Sequence, residues 1–107
     1  MSVDSFSFGK AVELMKRGKR VARHGWNGSG MFCYYVASGK AAANHDALKG
    51  LFPTNTVSYR PYYALKTAQN DVAVWTPSTS DSLANDWFVV TDEQAKSFCE
   101  DKGVNNQ

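Results

Sequence analysis

Between Arg23 and Met31 the chain reads Arg23-His24-Gly25-Trp26-Asn27-Gly28-Ser29-Gly30-Met31, a tryptophan set among three glycines. No regular helix or strand holds such a run, because glycine loses the most freedom on ordering and offers no side chain to pack. The stretch is therefore a loop, and whatever flanks it must be two separate elements. Trp26 either closes over the core or forms one wall of a site, while the glycines let a backbone or a ligand come close.

The flanks are readable. Phe8, Ala11, Val12 and Met15 recur at helical spacing, with Ser7 as N-cap and Gly18 as terminator, which predicts a helix over residues 7–17. Residues 20–23 form a short strand entering the loop, and residues 31–36 form the strand leaving it. That second strand is apolar on both faces and needs two covers, such as the helix on one side and a second subunit or a ligand on the other. Residues 38–57 carry no firm signal; Ala41 to Leu48 is compatible with a helical turn. A strand after Pro61, a turn at Gln69-Asn70-Asp71 and a returning strand at Val72–Trp75 make a hairpin, since proline cannot donate to a ladder. Ser78 then caps a short helical turn with Asp81 three residues on, residues 86–90 form a last strand, and Asp92 to Lys102 reads as a helix ended by Gly103. The expected fold is α+β: one domain, a small antiparallel sheet of four or five strands with the N-terminal helix packed on it.

Composition enters as a filter on function. A chain of 107 residues is large enough to bury about 65% of its unfolded surface without staples. Its net charge of +2 is too weak for a polyanion-binding field, and the Lys16–Arg20 basic cluster falls at a helix end, where cations complement the dipole. Cys33 and Cys99 allow one bridge at most and are read as reduced thiols. With Asp4 and no continuous apolar run near the start, neither a secretion signal nor a membrane span is expected.

Catalytic patterns are missing. Gly25, Gly28 and Gly30 join two strands and do not open a helix, so they make no dinucleotide fingerprint, and Gly39-Lys40 lacks the partner glycine of a phosphate loop. His24 and His45 have no metal-ligand spacing, and no cofactor is expected. A His24–Cys33 nucleophilic pair and an Asp81–Asp86 acid/base pair are conceivable, but a solvated histidine, a buried thiol, a cap and a turn account for the same residues. What is left is stacking surface: 13% of the chain is aromatic. Trp26, Tyr34, Tyr59, Tyr62, Tyr63, Trp75 and Trp87 lie in or beside polar loops, close to Arg60 and small hydroxyl residues. Rings, an arginine fork and glycine N–H groups together suit one nucleotide-like ligand, although rings at this density also build cores. The alternative is a single-stranded nucleic-acid-binding or phage structural module, which the weak charge disfavours.

These residues also carry a resemblance. Phe8-Gly9-Lys10-Ala11, Val21-Ala22-Arg23, Gly25-Trp26-Asn27-Gly28 and Gly30-Met31-Phe32 resemble the opening of the Thoeris anti-defence 2 family of phage proteins. Tyr59-Arg60-Pro61, Lys66-Thr67-Ala68, Trp75, Pro77-Ser78, Asp81, Leu83-Ala84 and Asp86-Trp87 continue it, so that it spans about residues 6–90. Residues 38–57 diverge, the hairpin has Gln69-Asn70-Asp71 where Asp-Gly is common, and the segment from Asp92 is an extension. The resemblance implies a non-enzymatic sponge in the cytoplasm of the infected host. Its ligand would be a cyclic ADP-ribose-type signal such as glycocyclic ADP-ribose, with cyclic dinucleotides of the CBASS defence at a separate site in some members. It further implies a homotetramer with sites at subunit junctions, and a ligand-binding set of Trp26, Asn27, Gly28, Met31, Tyr59, Arg60, Trp75, Ser78 and Asp81.

Overall fold

In the computed structural model residues 5–26 and 28–100 are described, and the first element is the helix that the apolar spacing predicts. Helix α1 spans Phe8–Lys16, and the Ser7 hydroxyl accepts the Lys10 N–H at 3.3 Å, satisfying one of the donors a helix start leaves unpaired. At the other end Gly18, at φ +91°, donates to Met15 O while Lys19 donates to Leu14 O. This is the paired stop that glycine makes possible. The basic cluster is engaged here too: Lys16 lies in the last turn, Arg17 pairs with Glu13, and Arg20 pairs with Asp92.

Strands β1 (Arg20–Arg23) and β2 (Phe32–Val36) flank the glycine loop as expected. β3 (Gly39–Ala42) and β4 (Thr56–Tyr59) follow, then β5 (Tyr62–Lys66), β6 (Val72–Trp75), the short α2 (Thr79–Leu83), β7 (Trp87–Val90) and α3 (Asp92–Cys99). The main sheet has the order β6-β5-β2-β1-β7 and is antiparallel throughout. Phe6 exchanges two backbone hydrogen bonds with Trp87, covering the outer edge of β7, whereas β6 is an open edge.

Two buried clusters lie on opposite faces. Under α1, Ala11 and Met15 meet Val21, Cys33 and Trp87, all fully buried. Each such side chain stabilises the fold by about 1.5–3 kcal/mol if it is as large as Val or Met. On the other face Ala22, Phe32 and Val90 are packed by Ala95 and Phe98 of α3. The second cover that β2 requires therefore comes, over half its length, from the same chain and not from a second subunit or a ligand. Tyr34 and Val36, farther along, stay half-exposed.

The segment 38–57 is where the structure departs from expectation. Ala41 and Ala42 belong to a strand, and the helical turn begins only at His45, whose carbonyl accepts from Leu48 and Lys49. The reason is register: Val36 faces Tyr62 and Gly39 faces Tyr59, so the β3–β4 ribbon continues the β2–β5 ladder in one frame. Pro61 and Arg60 fall at the interruption, and proline has no N–H to give the ladder. Pairing thus makes strands of residues whose own preferences do not. Helix α3 also ends earlier than expected, at Cys99, with Glu100 already extended. Its final carbonyls are taken by side chains, Phe98 O by Lys66 and Cys99 O by Asn70. The expected terminator Gly103 lies outside the described residues.

Candidate ligand-binding site

Arg23 ends β1 at the mouth of the glycine loop and reaches two carboxylates at once. Its Nε donates to Asp86 Oδ1 at 2.7 Å and its Nη1 to Asp81 Oδ1 at 2.9 Å. Asp86 Oδ2 also accepts from the Gly25 N–H at 2.8 Å, and Asp81 Oδ1 from the Trp26 indole N–H at 3.0 Å. Ser78 and Asp81 form a reciprocal cap at the start of α2, and the Asp81 carbonyl takes the indole N–H of Trp87 at 3.0 Å. Among the described residues no buried side-chain nitrogen or oxygen lacks a partner, which is what a low-dielectric charge cluster requires.

The electrostatics follow from these bonds. The Arg23 hydrogen bond holds Asp86 below the ordinary carboxylate range, and the same bond raises the guanidinium further. For Asp81, burial is the largest single influence and opposes ionisation. The donors Trp26, Arg23 and Ser78 together outweigh it, and its pKa also lies below the ordinary range. Both carboxylates are therefore ionised and hydrogen-bonded at neutral pH, which leaves neither with a proton to give as a general acid. Cys33 is buried under α1, and burial pushes its thiol far up, while His24 stacks on Phe88 at 4.2 Å. The two do not form a pair.

The glycines serve different needs. Gly30 sits at φ +72°, where glycine is favoured. Gly25 is needed for space: a Cβ there would stand 2.7 Å from Asp86 Oδ2. At Gly28 a Cβ would meet the flexible end of Met31, which lies over it.

A cleft of about 440 Å³ opens where β5 begins and β6 ends. Its walls are Tyr35, Tyr62, Tyr63 and Trp75, with Pro61, Pro77, Val74 and Thr76 completing it. Trp75 joins this cleft to the charge cluster, since its ring meets Trp26 edge-on at 6.3 Å and Trp87 at 6.1 Å. A second groove of about 320 Å³ is lined by Tyr59, Tyr62 and Lys40. Arg60 stands exposed between Tyr59 and Pro61, at the break between the two ladders, and forms no ion pair among the described residues.

The nine residues expected to bind ligand thus fall in separate places. Trp26, Ser78 and Asp81 share the charge cluster, Trp75 bridges it to the cleft, and Arg60 and Tyr59 sit at the ladder break and the second groove. Gly28 and Met31 pack on each other in the loop, and Asn27 lies outside the described residues. Sequence reasoning missed Arg23, which looked like a strand residue, because Asp81 and Asp86 were read as a cap and a turn and not as its partners. It also missed Tyr35 and Pro77 as walls, and Lys66, which is 5% exposed. Among the described residues no cluster of His, Cys, Asp or Glu could hold a metal ion, and no helix is long and apolar enough to cross a membrane.

Comparison with known proteins adds two findings. Residues 6–90 match the family described as Tad2-like, the Thoeris anti-defense 2-like domain. The protein named Thoeris anti-defense 2 of Bacillus phage SP01 is 38% identical over 85 residues, covering 79% of this chain and 94% of the relative. The family match stops at the end of β7, and α3 lies beyond it.

Proposed function

Because the chain belongs to the Thoeris anti-defence 2 family, we propose that it is a phage anti-defence protein that captures a cyclic nucleotide immune signal and keeps it uncleaved. The signal is of the cyclic ADP-ribose type, with cyclic dinucleotides as a second class. The observation that carries this reading is the ring-walled cleft. Its volume of about 440 Å³ falls in the usual range of small-molecule sites, and four of its eight lining residues are aromatic. A base stacked on Trp75 or Tyr62 gains about 1–3 kcal/mol, and the unpaired Arg60 is placed to meet a phosphate. Trp26 supports Trp75 from behind, and the Arg23 cluster supports Trp26.

Sequestration needs affinity and abundance alone. A dissociation constant near 1 nM corresponds to roughly −12 kcal/mol. Carboxylates already held by Arg23 and a thiol kept protonated by burial agree with binding without chemistry. The protein acts in the host cytoplasm, where the signal is made, and as a homo-oligomer. Val72 and Val74, 58% and 71% exposed, lie on the open β6 edge beside the cleft, where a second copy would close it. Light scattering should give a mass above that of one chain.

The test is recovery. Purified protein is saturated with each of several cyclic ADP-ribose isomers and cyclic dinucleotides, freed of excess, and heated. Intact ligand in the supernatant is the expected result. A hydrolysed product would make this an enzyme, and failure to retain any of the panel would remove the reading.

A further inference from the structure

Lys66 ends β5 with its ammonium inside the protein, 5% exposed, and no carboxylate answers it among the described ion pairs. Its Nζ donates instead to two backbone carbonyls, Gly30 O at 2.8 Å and Phe98 O at 2.6 Å. The first belongs to the glycine loop, at the one loop position described with positive φ. The second belongs to the last turn of α3, where unsatisfied carbonyls carry the negative end of the helix dipole. A buried ammonium is tolerated only while its donors are occupied, so each carbonyl is held more firmly when the other is present.

Helix α3 is otherwise anchored mainly to the sheet; against the loop, its Phe98 backbone passes close to Gly30, where a Cβ would stand 3.6 Å from Phe98 O. Thr91 and Gln94 cap its start reciprocally, Arg20 pairs with Asp92, Ala95 and Phe98 pack on Ala22, Phe32 and Val90, and Asn70 donates to Cys99 O at 3.1 Å. It begins at Asp92, after the family match has ended at residue 90. We propose that this added helix is a brace for the glycine loop, and that Lys66 is the positioning residue through which it acts. Docked α3 fixes the ammonium, the ammonium fixes the Gly30 carbonyl, and residues 28–31 are thereby held in one conformation.

Amide hydrogen exchange on the full chain, without ligand, tests this directly. Two variants are compared with the native protein: Lys66→Met, which keeps the length and removes the donors, and the pair Ala95→Asp with Phe98→Asp, which undocks α3 and leaves Lys66 in place. In both, exchange at residues 28–31 is expected to accelerate at least tenfold while amides of Val21, Leu65 and Val89 keep their native rates. Combining the variants should add nothing further, because both break one link. Loop exchange unchanged on undocking overturns the proposal. So does Lys66→Met accelerating sheet and loop alike, which would make the lysine a support of the whole fold; Asn70→Gly, which removes the bond to Cys99 O and keeps the positive φ of that turn, then repeats the test by loosening the helix end in a stable background. A consequence for ligand rests on the function proposed above and runs through Trp26, the loop residue that meets Trp75 at the cleft: dissociation of bound cyclic ADP-ribose should be about fivefold faster in both variants. A native protein that binds no isomer defeats that function and leaves the exchange result standing.

Discussion

The charge cluster around Arg23 and the cleft around Trp75 share a tryptophan contact and little else. In the cluster the charges are paired with one another: Arg23 holds two aspartates, which also accept from Trp26, Gly25 and Ser78. In the cleft Tyr35, Tyr63 and Trp75 pack on the core with one side and line the cavity with the other, Tyr62 stands exposed, and nearby Arg60 has no carboxylate among the described ion pairs. Aromatic and charged residues of the same kinds thus make a structural joint where they satisfy one another and a binding surface where they do not. The composition of a site is a poorer guide to its role than the bonds left over once the fold has taken its own.

The contrast can be broken most forcefully at Arg23. Arg23→Leu leaves Asp81 and Asp86 charged, close together and without their cation. Breaking such a pair costs about 3–5 kcal/mol, the lower half applying here because Asp86 is 32% exposed. Denaturant unfolding at neutral pH measures it, and a loss under 1 kcal/mol would show that the cluster is not the joint described.

Trp26→Ala comes next. It removes a half-buried ring and its N–H to Asp81, and should lower stability by about 2–4 kcal/mol. The family resemblance implies a ring that stacks on a base, so a variant that loses affinity while melting normally would move Trp26 from the joint to the binding surface.

Tyr62→Ala works from the other side. The ring is 42% exposed and lines both grooves. Calorimetry should give tenfold weaker ligand binding, about 1.4 kcal/mol, with the melting temperature within a degree or two. Lost stability with unchanged affinity would reverse the assignment.

Acid is the gentlest probe. The folded-state pKa values of Asp81 and Asp86 lie below their unfolded values, so their contribution is fully present above about pH 4 and falls as pH drops through the folded values. Stability should decline below about pH 4, and Asp86→Asn should flatten the decline while leaving stability at neutral pH only modestly lower. An equally steep acid transition in Asp86→Asn would place the sensitive carboxylate elsewhere.

Much of this molecule was readable as letters. Helix α1, the strands on each side of the glycine loop, the β5–β6 hairpin with Asn70 at φ +72°, and the Ser78–Asp81 cap all follow from spacing, turn chemistry and capping, which act within a few residues. The family itself was legible in the same short blocks. What local rules could not supply was anything that depends on a distant partner. Gly39 to Ala42 becomes a strand because Thr56 to Tyr59 lies beside it in the frame set by β2 and β5. Arg23 becomes the centre of a cluster because Asp81 and Asp86, roughly sixty residues later, arrive at its guanidinium.

The division has one physical cause. Backbone preferences and hydrophobic period are properties of a residue and its near neighbours, so the sequence alone determined α1, the strands beside the glycine loop, the hairpin and the Ser78 cap, but not the β3–β4 ribbon. Whether a polar or aromatic group is left free is a property of everything packed around it, and only the tertiary structure decided that Asp81 and Trp26 are taken while Tyr62 and Arg60 remain open.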